Sequence, residues 1–144
     1  MTTIKELAKR SNDFINSLEI QIEQTIEEAD QQLTDINRGQ LMSSMGSDGN
    51  PLKNNKTGLT TLSPAYARRT GKKRPNIFLK GEYQSEMFTS SNGKSYFQSS
   101  NDRKNKFLQN NFDNLHGIAK QNQNQAKSIT TTILARRYKK ALQG

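Results

Sequence analysis

LTTLSPAYARRTGKKRPNIFLKGEYQSEMF, residues 59–88, sets the organisation of the chain. Ser63 and Pro64 fit the first turn of a short helix, SPAYARRT, that stops at Gly71. Five basic side chains crowd its end and the following spacer: Arg68, Arg69, Lys72, Lys73 and Arg74. Pro75 biases Arg74 toward extended backbone, so GKKRPN reads as an extended link. Ile77-Phe78-Leu79 is a short apolar strand or helix entry broken at Gly81, and EYQSEMF opens as a helical turn before becoming strand. Nothing in the stretch has the pattern of an active site. It reads as an assembly surface, framed by longer helices on either side.

Immediately downstream lies the firmest local signal, residues 86–99. Asn92-Gly93 is the pair preferred in a two-residue type I′ hairpin loop. Such a loop sets Phe88 opposite Phe97 and Thr89 opposite Tyr96, giving an aromatic pair on one face. A lone hairpin is marginal in water, so this one requires a helix or another chain's strand against it.

Upstream, Ile4, Leu7, Phe14/Ile15, Leu18, Ile22, Ile26, Ala29, Leu33 and Ile36 recur in steps of three and four. That is one apolar stripe on a long helix over residues 1–45, with Thr2 or Thr3 as cap and Glu6 at capping-box spacing from Thr3. The stripe must lie on the rest of the chain or on a sister copy. Gly39 ends this helix, or the helix runs through Leu41, Met42 and Met45 to Gly46. SDGNPLKNNKTG is loop by composition. Beyond the hairpin, Phe107, Leu108, Phe112 and Leu115 fall at helical spacing up to Gly117, and a last helix spans about 120–142 with Arg136, Arg137, Lys139 and Lys140 in its final turns. The expected fold is α+β in one domain: a long helix (1–45), a basic loop with a short helix (46–76), a hairpin region (77–100) and C-terminal helices (101–144).

Composition narrows the function. Ile, Leu and Phe together number 28 of 144 residues and Val is absent, close to the roughly 20 % below which chains tend toward disorder. The core is therefore thin, and its order depends partly on neighbours. Residues 1–40 carry eight acidic and four basic side chains, net −4, so with an overall charge of +9 the remainder carries +13. Such asymmetry suits a nucleic-acid face or head-to-tail packing of copies. With no cysteine there is neither disulfide nor thiolate metal site. No signal-peptide or membrane-spanning run is present, and the chain is expected to be soluble and made in the cytoplasm.

Catalytic and cofactor signatures are missing. His116 is the single histidine, with no second imidazole to share a metal, and reads as structural or exposed. Glu19, Glu23 and Glu27 line a solvated helix face rather than a buried acid/base pair. No phosphate-cradling glycine loop or nucleophile motif occurs, so no enzyme and no cofactor is expected. The Arg68–Arg74 cluster is solvated, or meets acidic protein surface, or contacts DNA. Only Tyr66 and Phe78 flank it, too few aromatics for a stacking platform.

The order of features over residues 40–100 resembles the small neck proteins of tailed bacteriophages, of the tail-completion or head–tail joining type, and related virion-morphogenesis proteins. The matching residues are Gly58, Leu62-Ser63, Tyr66, the basic run Arg69 to Arg74, then Ile77-Phe78-Leu79-Lys80-Gly81-Glu82-Tyr83-Gln84-Ser85 and the hairpin. The sequence departs from the pattern at Lys80, where Thr or Ser is usual. The resemblance implies a non-enzymatic virion component, acting in a ring of six or twelve copies between portal or adaptor and tail-tube or tail-terminator proteins. Its interface would use Tyr66, Arg68, Arg69, Lys72, Lys73, Arg74, Leu79, Gly81, Phe88, Asn92, Gly93, Tyr96 and Phe97. Arg136, Arg137, Lys139 and Lys140 are candidates for contact with packaged DNA or a partner. The alternatives are a small basic nucleic-acid-binding protein, or a tail-terminator or minor capsid component.

Overall fold

In the computed structural model, which describes residues 2–61, 64–71 and 82–144, the chain opens at Thr3. The Thr3 hydroxyl accepts the Glu6 N–H at 3.1 Å, and the Glu6 carboxylate accepts the Thr3 N–H at 3.0 Å. This reciprocal capping box starts α1, Ile4–Asn16. The expected single helix is interrupted at Ser17, whose backbone (φ −104°, ψ 20°) leaves the helical region. Its hydroxyl donates to the Phe14 carbonyl, the local competition that makes serine a poor interior residue. Helix α2 then runs Leu18–Met42, straight past Gly39.

Helix α6, Gln123–Gln143, lies antiparallel to both. Its far end meets α1: Arg10 donates to the Leu142 carbonyl, Ser11 and Tyr138 hydroxyls are 2.8 Å apart, and the Phe14 and Tyr138 rings pack edge to face. Along α2 it buries Ile26, Ala29 and Leu33 against Ala126, Ile133 and Ile118, with Ile22, Ile36 and Ile129 at the margin. A second apolar cluster sits beyond the end of α2. It gathers Leu41, Leu52, Tyr83, Met87, Phe112 and Leu115. Leu52, from the glycine- and asparagine-rich loop, is fully buried. That loop packs so closely that a Cβ on Gly46 would lie 2.1 Å from Asn114 Nδ2 and 2.7 Å from its carbonyl.

Between the two clusters runs a polar seam. Asn37 donates to the Gly117 carbonyl at 3.2 Å, and Gln40 does the same at 2.8 Å. The Gln40 side-chain oxygen accepts the Ala119 N–H and the Asn122 amide. Both side chains are buried. Together they fix the turn that leads into α6, including a single 3₁₀ turn at Lys120–Asn122.

The middle of the chain is α3 (Pro64–Thr70), α4 (Glu82–Ser85), β1 (Met87–Ser91) and β2 (Tyr96–Ser100), followed by α5 (Asn105–Asn111). Helix α3 ends as expected at Gly71, with φ +71° and its N–H on the Ala67 carbonyl. Helix α5 is shorter than the spacing of Phe107 to Leu115 suggested; Phe112 is already extended, and it and Leu115 reach the second cluster from irregular backbone. The architecture is α+β, an antiparallel helical frame with a two-stranded sheet laid on α2.

That sheet is held largely by hydrogen bonds. Asp30 accepts the Thr89 N–H at 2.6 Å and the Thr34 hydroxyl at 3.0 Å. Thr34 and Thr89 hydroxyls are 2.8 Å apart, and Gln98 donates to the Leu33 carbonyl at 2.9 Å. Arg38 donates to the carbonyls of Gln84 and Met87 while pairing with Asp35. Removing one partner strands the other in a half-buried site, at about 1–3 kcal/mol. Asp30→Ala is therefore expected to lower stability by about that amount in urea unfolding. Amide exchange should accelerate in 87–100 well before it does in α6; equal loss in both would refute this docking.

Candidate assembly surface

The hairpin begins where expected, but its loop is longer. Strand pairing sets Met87 against Ser100, Phe88 against Ser99, Thr89 against Gln98, Ser90 against Phe97 and Ser91 against Tyr96. The register is thus two residues away from the one a two-residue loop imposes, and residues 92–95 form the turn. The cause is the Asn92 side chain, which accepts the Lys94 and Ser95 N–H groups at 3.0 Å each, while Ser91 Oγ bonds the Ser95 carbonyl and the Gly93 N–H. This Asx turn needs four residues. Gly93 takes φ +90° and rests on α2, where a Cβ would lie 3.0 Å from the Glu19 carbonyl. The hairpin tip is thereby seated on the first turn of α2.

A two-residue slip preserves the face each side chain points to. Phe88 and Phe97 consequently still share the outer face, as a diagonal pair with ring centroids 6.4 Å apart, edge to face. Phe97 is 53 % exposed and Tyr96 is 38 % exposed. Burial of its inner half raises the Tyr96 phenol above its ordinary value. The opposite face, Met87, Thr89, Gln98 and Ser100, is buried toward α2 and the second apolar cluster.

The basic residues divide. Arg68 and Arg69 are exposed on α3, Arg69 lying 5.1 Å over the Tyr66 ring. Lys72, Lys73, Arg74, Leu79 and Gly81 lie outside the described residues, as does the Ile77-Phe78-Leu79 segment. At the other end of the chain, Arg136 and Arg137 already have partners on α2, although Arg136 stays exposed. Arg136 pairs with Glu28, and Arg137 bonds Gln21 and Gln24 and reaches Glu28 at 3.8 Å. They tie α6 to the acidic side of α2. Lys139 and Lys140 are exposed. Elsewhere, α1 leaves much of its stripe uncovered: Ile4 is 86 % and Ile15 56 % exposed, with Leu7, and Leu18 at the start of α2, also outside the core.

A cleft of about 240 Å³ at the α1–α2 joint is lined by Arg10, Asp13, Phe14, Ser17, Gln21 and Ala141. Among the described residues no group of three or more histidine, cysteine or carboxylate side chains is arranged to hold a metal, and no helix is long and apolar enough to cross a membrane.

His116 is structural. Its Nε2 lies 2.7 Å from the Tyr83 hydroxyl and 2.8 Å from Asn105 Oδ1, and Tyr83 donates to the same oxygen at 2.6 Å. Tyr83 belongs to α4 and Asn105 to α5, so the three close the base of the hairpin. Burial, with Asp102 nearby, raises the Tyr83 phenol and keeps it a donor. Burial also holds the imidazole down to about 4, and among the described residues its buried Nδ1 has no hydrogen-bond acceptor for the N–H that protonation would create.

Asp30, Arg38 and Gln98 carry the docking and went unremarked in the sequence. The available signal was Asp30, Thr34 and Arg38 at four-residue steps, a polar line beside the apolar stripe.

The folded pKa of His116 lies below its unfolded value of about 6.5. Acidification should therefore cost stability from about pH 6.5 downward, the loss levelling off below about 4. His116→Gln should remove that component of the pH profile; a thermal-melt profile identical to wild type would contradict it. Arg137→Ala should cost about 1 kcal/mol of stability, against no measurable change for Lys140→Ala, in denaturant titrations. Comparison with protein-family models, with curated proteins and with solved structures finds no match for this chain.

Proposed function

We propose that this chain is a non-enzymatic structural subunit of a tailed bacteriophage, a neck protein that forms a ring joining capsid and tail. The observation that carries the reading is the outer face of the hairpin, where Phe97 stands half exposed beside Phe88 on a sheet that has two strands among the described residues. An apolar face of this kind fits an interface between subunits. The uncovered Ile4 and Ile15 on α1, together with exposed Arg68 and Arg69 and the acidic α2 surface, support head-to-tail contacts between copies. The family resemblance supplies the virion context, the six- or twelvefold ring and the portal and tail neighbours.

Within the ring, the 68–74 cluster and the 86–99 hairpin of one copy meet the acidic face of the next. A small nucleic-acid-binding protein is the competing reading, favoured by exposed Lys139 and Lys140 and the net charge of +9. The internal pairing of Arg136 and Arg137 weakens it.

Native mass measurement of the purified protein, alone and with duplex DNA, separates the two. A discrete ring, or a monomer that assembles only on virion partners, is the expected outcome. Salt-sensitive DNA binding without a defined oligomer would overturn it. Reversing Arg68, Arg69 and Lys73 together to Glu should abolish ring assembly or virion incorporation. Incorporation at the wild-type level would remove the cluster from the interface.

A further inference from the structure

Helix α5 turns one face to the core and the other to water. Leu108 packs on the second apolar cluster and Asn111 is buried. Lys106, Phe107 and Asn110 are exposed, as is Arg103 in the turn before the helix. Phe107 is 64 % exposed, the barest aromatic ring among the described residues. The loop of residues 52–59 is fastened beside it. Asn55 donates its backbone N–H to the Asn111 carbonyl at 2.7 Å, and its side-chain amide to the Asn110 carbonyl and the Asp113 carboxylate. Asn54 Oδ1 accepts the N–H groups of Lys56 and Thr57, and the Gly58 N–H returns to the Asn54 carbonyl at 2.8 Å. These bonds hold the loop so that the Lys56 ammonium lies 5.9 Å over the Phe107 ring. A cation and an open aromatic face thus meet at one point, on segments far apart in sequence.

The charges around the ring are mixed. Lys53, Lys56, Arg103, Lys104 and Lys106 are exposed and, among the described residues, have no ion pair. Four acids share the neighbourhood. Asp102 accepts the Lys104 N–H, Asp113 the Asn55 amide and Asp48 the Asn114 amide, while Glu86 adjoins through its carbonyl, which takes the Asn101 N–H. The local excess of positive charge is small, so charge alone selects no ligand. The ring does. A nucleobase lays a flat face on an aromatic side chain and brings a phosphate on either side of it. An acidic peptide brings the charge without the face, and a duplex keeps its bases stacked inside, out of reach of a ring on a helix surface.

We infer that Phe107 is a stacking platform for single-stranded nucleic acid, with Lys56, Arg103 and Lys106 set against the phosphates beside the stacked base. Lys56 gives up the ring for a phosphate as the base arrives. The site does not rest on the ring reading, whose contacts use α3, the hairpin and the acidic face of α2. It is also separate from Lys139 and Lys140 on α6.

The test is fluorescence anisotropy of the full chain with a labelled oligothymidylate of about twelve nucleotides. Phe107→Ala is expected to weaken binding about tenfold and Phe107→Tyr to preserve it. An abasic strand of the same length should bind the wild-type chain as weakly as thymidylate binds Phe107→Ala. Three phosphate contacts predict a shallow salt dependence, a log–log slope of about −2. Lys106→Gln should lower both the affinity and that slope, and Lys140→Ala should change neither. Phe107 is exposed, so these variants keep the fold, which thermal melts check. The inference is overturned if no strand binds at low salt, if thymidylate and abasic strands bind alike, or if Phe107→Ala binds as wild type does. It is also overturned if oligoglutamate competes as well as thymidylate, which would make the surface a contact for acidic protein. These readouts hold for a monomer or a ring, so failure here leaves the ring reading standing.

Discussion

The bond from the Thr89 N–H to the Asp30 carboxylate decides where the sheet sits. A two-stranded sheet cannot sustain itself in water, and this one exposes one face. Its persistence rests on α2 supplying what a third strand would supply: an acceptor for an outward N–H and, through Arg38, a donor for an outward carbonyl. The Thr34–Thr89 contact and the Gln98 bond to Leu33 complete the seat. Because charge-assisted hydrogen bonds are directional, this docking fixes register as well as position. Gly93 against Glu19 does the same at the tip.

With few apolar residues to spend, the chain uses them in two small clusters instead of one core. The first is a helix pair and the second a cap of irregular backbone, α4 and β1 around Leu41 and Leu52. Asn37 and Gln40 join them through the turn into α6. Arg136 and Arg137 add an electrostatic strap across α2 and α6, which draws cations inward that would otherwise serve a partner.

Much of this organisation was written locally. The Thr3–Glu6 box, the Pro64–Gly71 helix and the switch from turn to strand after Glu82 are short-range signals, and short-range chemistry made them readable. The hairpin's place was legible for the same reason, yet its register was not. Asn92-Gly93 suits a two-residue loop, and the competing Asx turn by the Asn92 side chain won because Ser91 and Ser95 add two further bonds to it. Ser17 sits between Ile15 and Leu18 without any helix-stop residue beside it, yet its hydroxyl interrupts the helix. Leu108, Phe112 and Leu115 had helical spacing although only Leu108 is on α5; the others reach the same cluster from irregular backbone, and Phe107 points to solvent. Of the candidate surface, Phe88 and Phe97 were foreseeable from alternation. The capture of Arg136 and Arg137 by Glu28 and its neighbours was not, since those residues are more than a hundred positions apart.

The seam of Asn37 and Gln40 has a mechanical corollary. Apolar contacts yield gradually as surfaces slide, whereas a hydrogen bond loses most of its strength within a fraction of an ångström and a few tens of degrees. A molecule jointed this way is stiff under small loads and brittle under larger ones. Force drawing the 117–122 turn off the end of α2 would meet little give and then a sudden release, along a line set by two amide side chains.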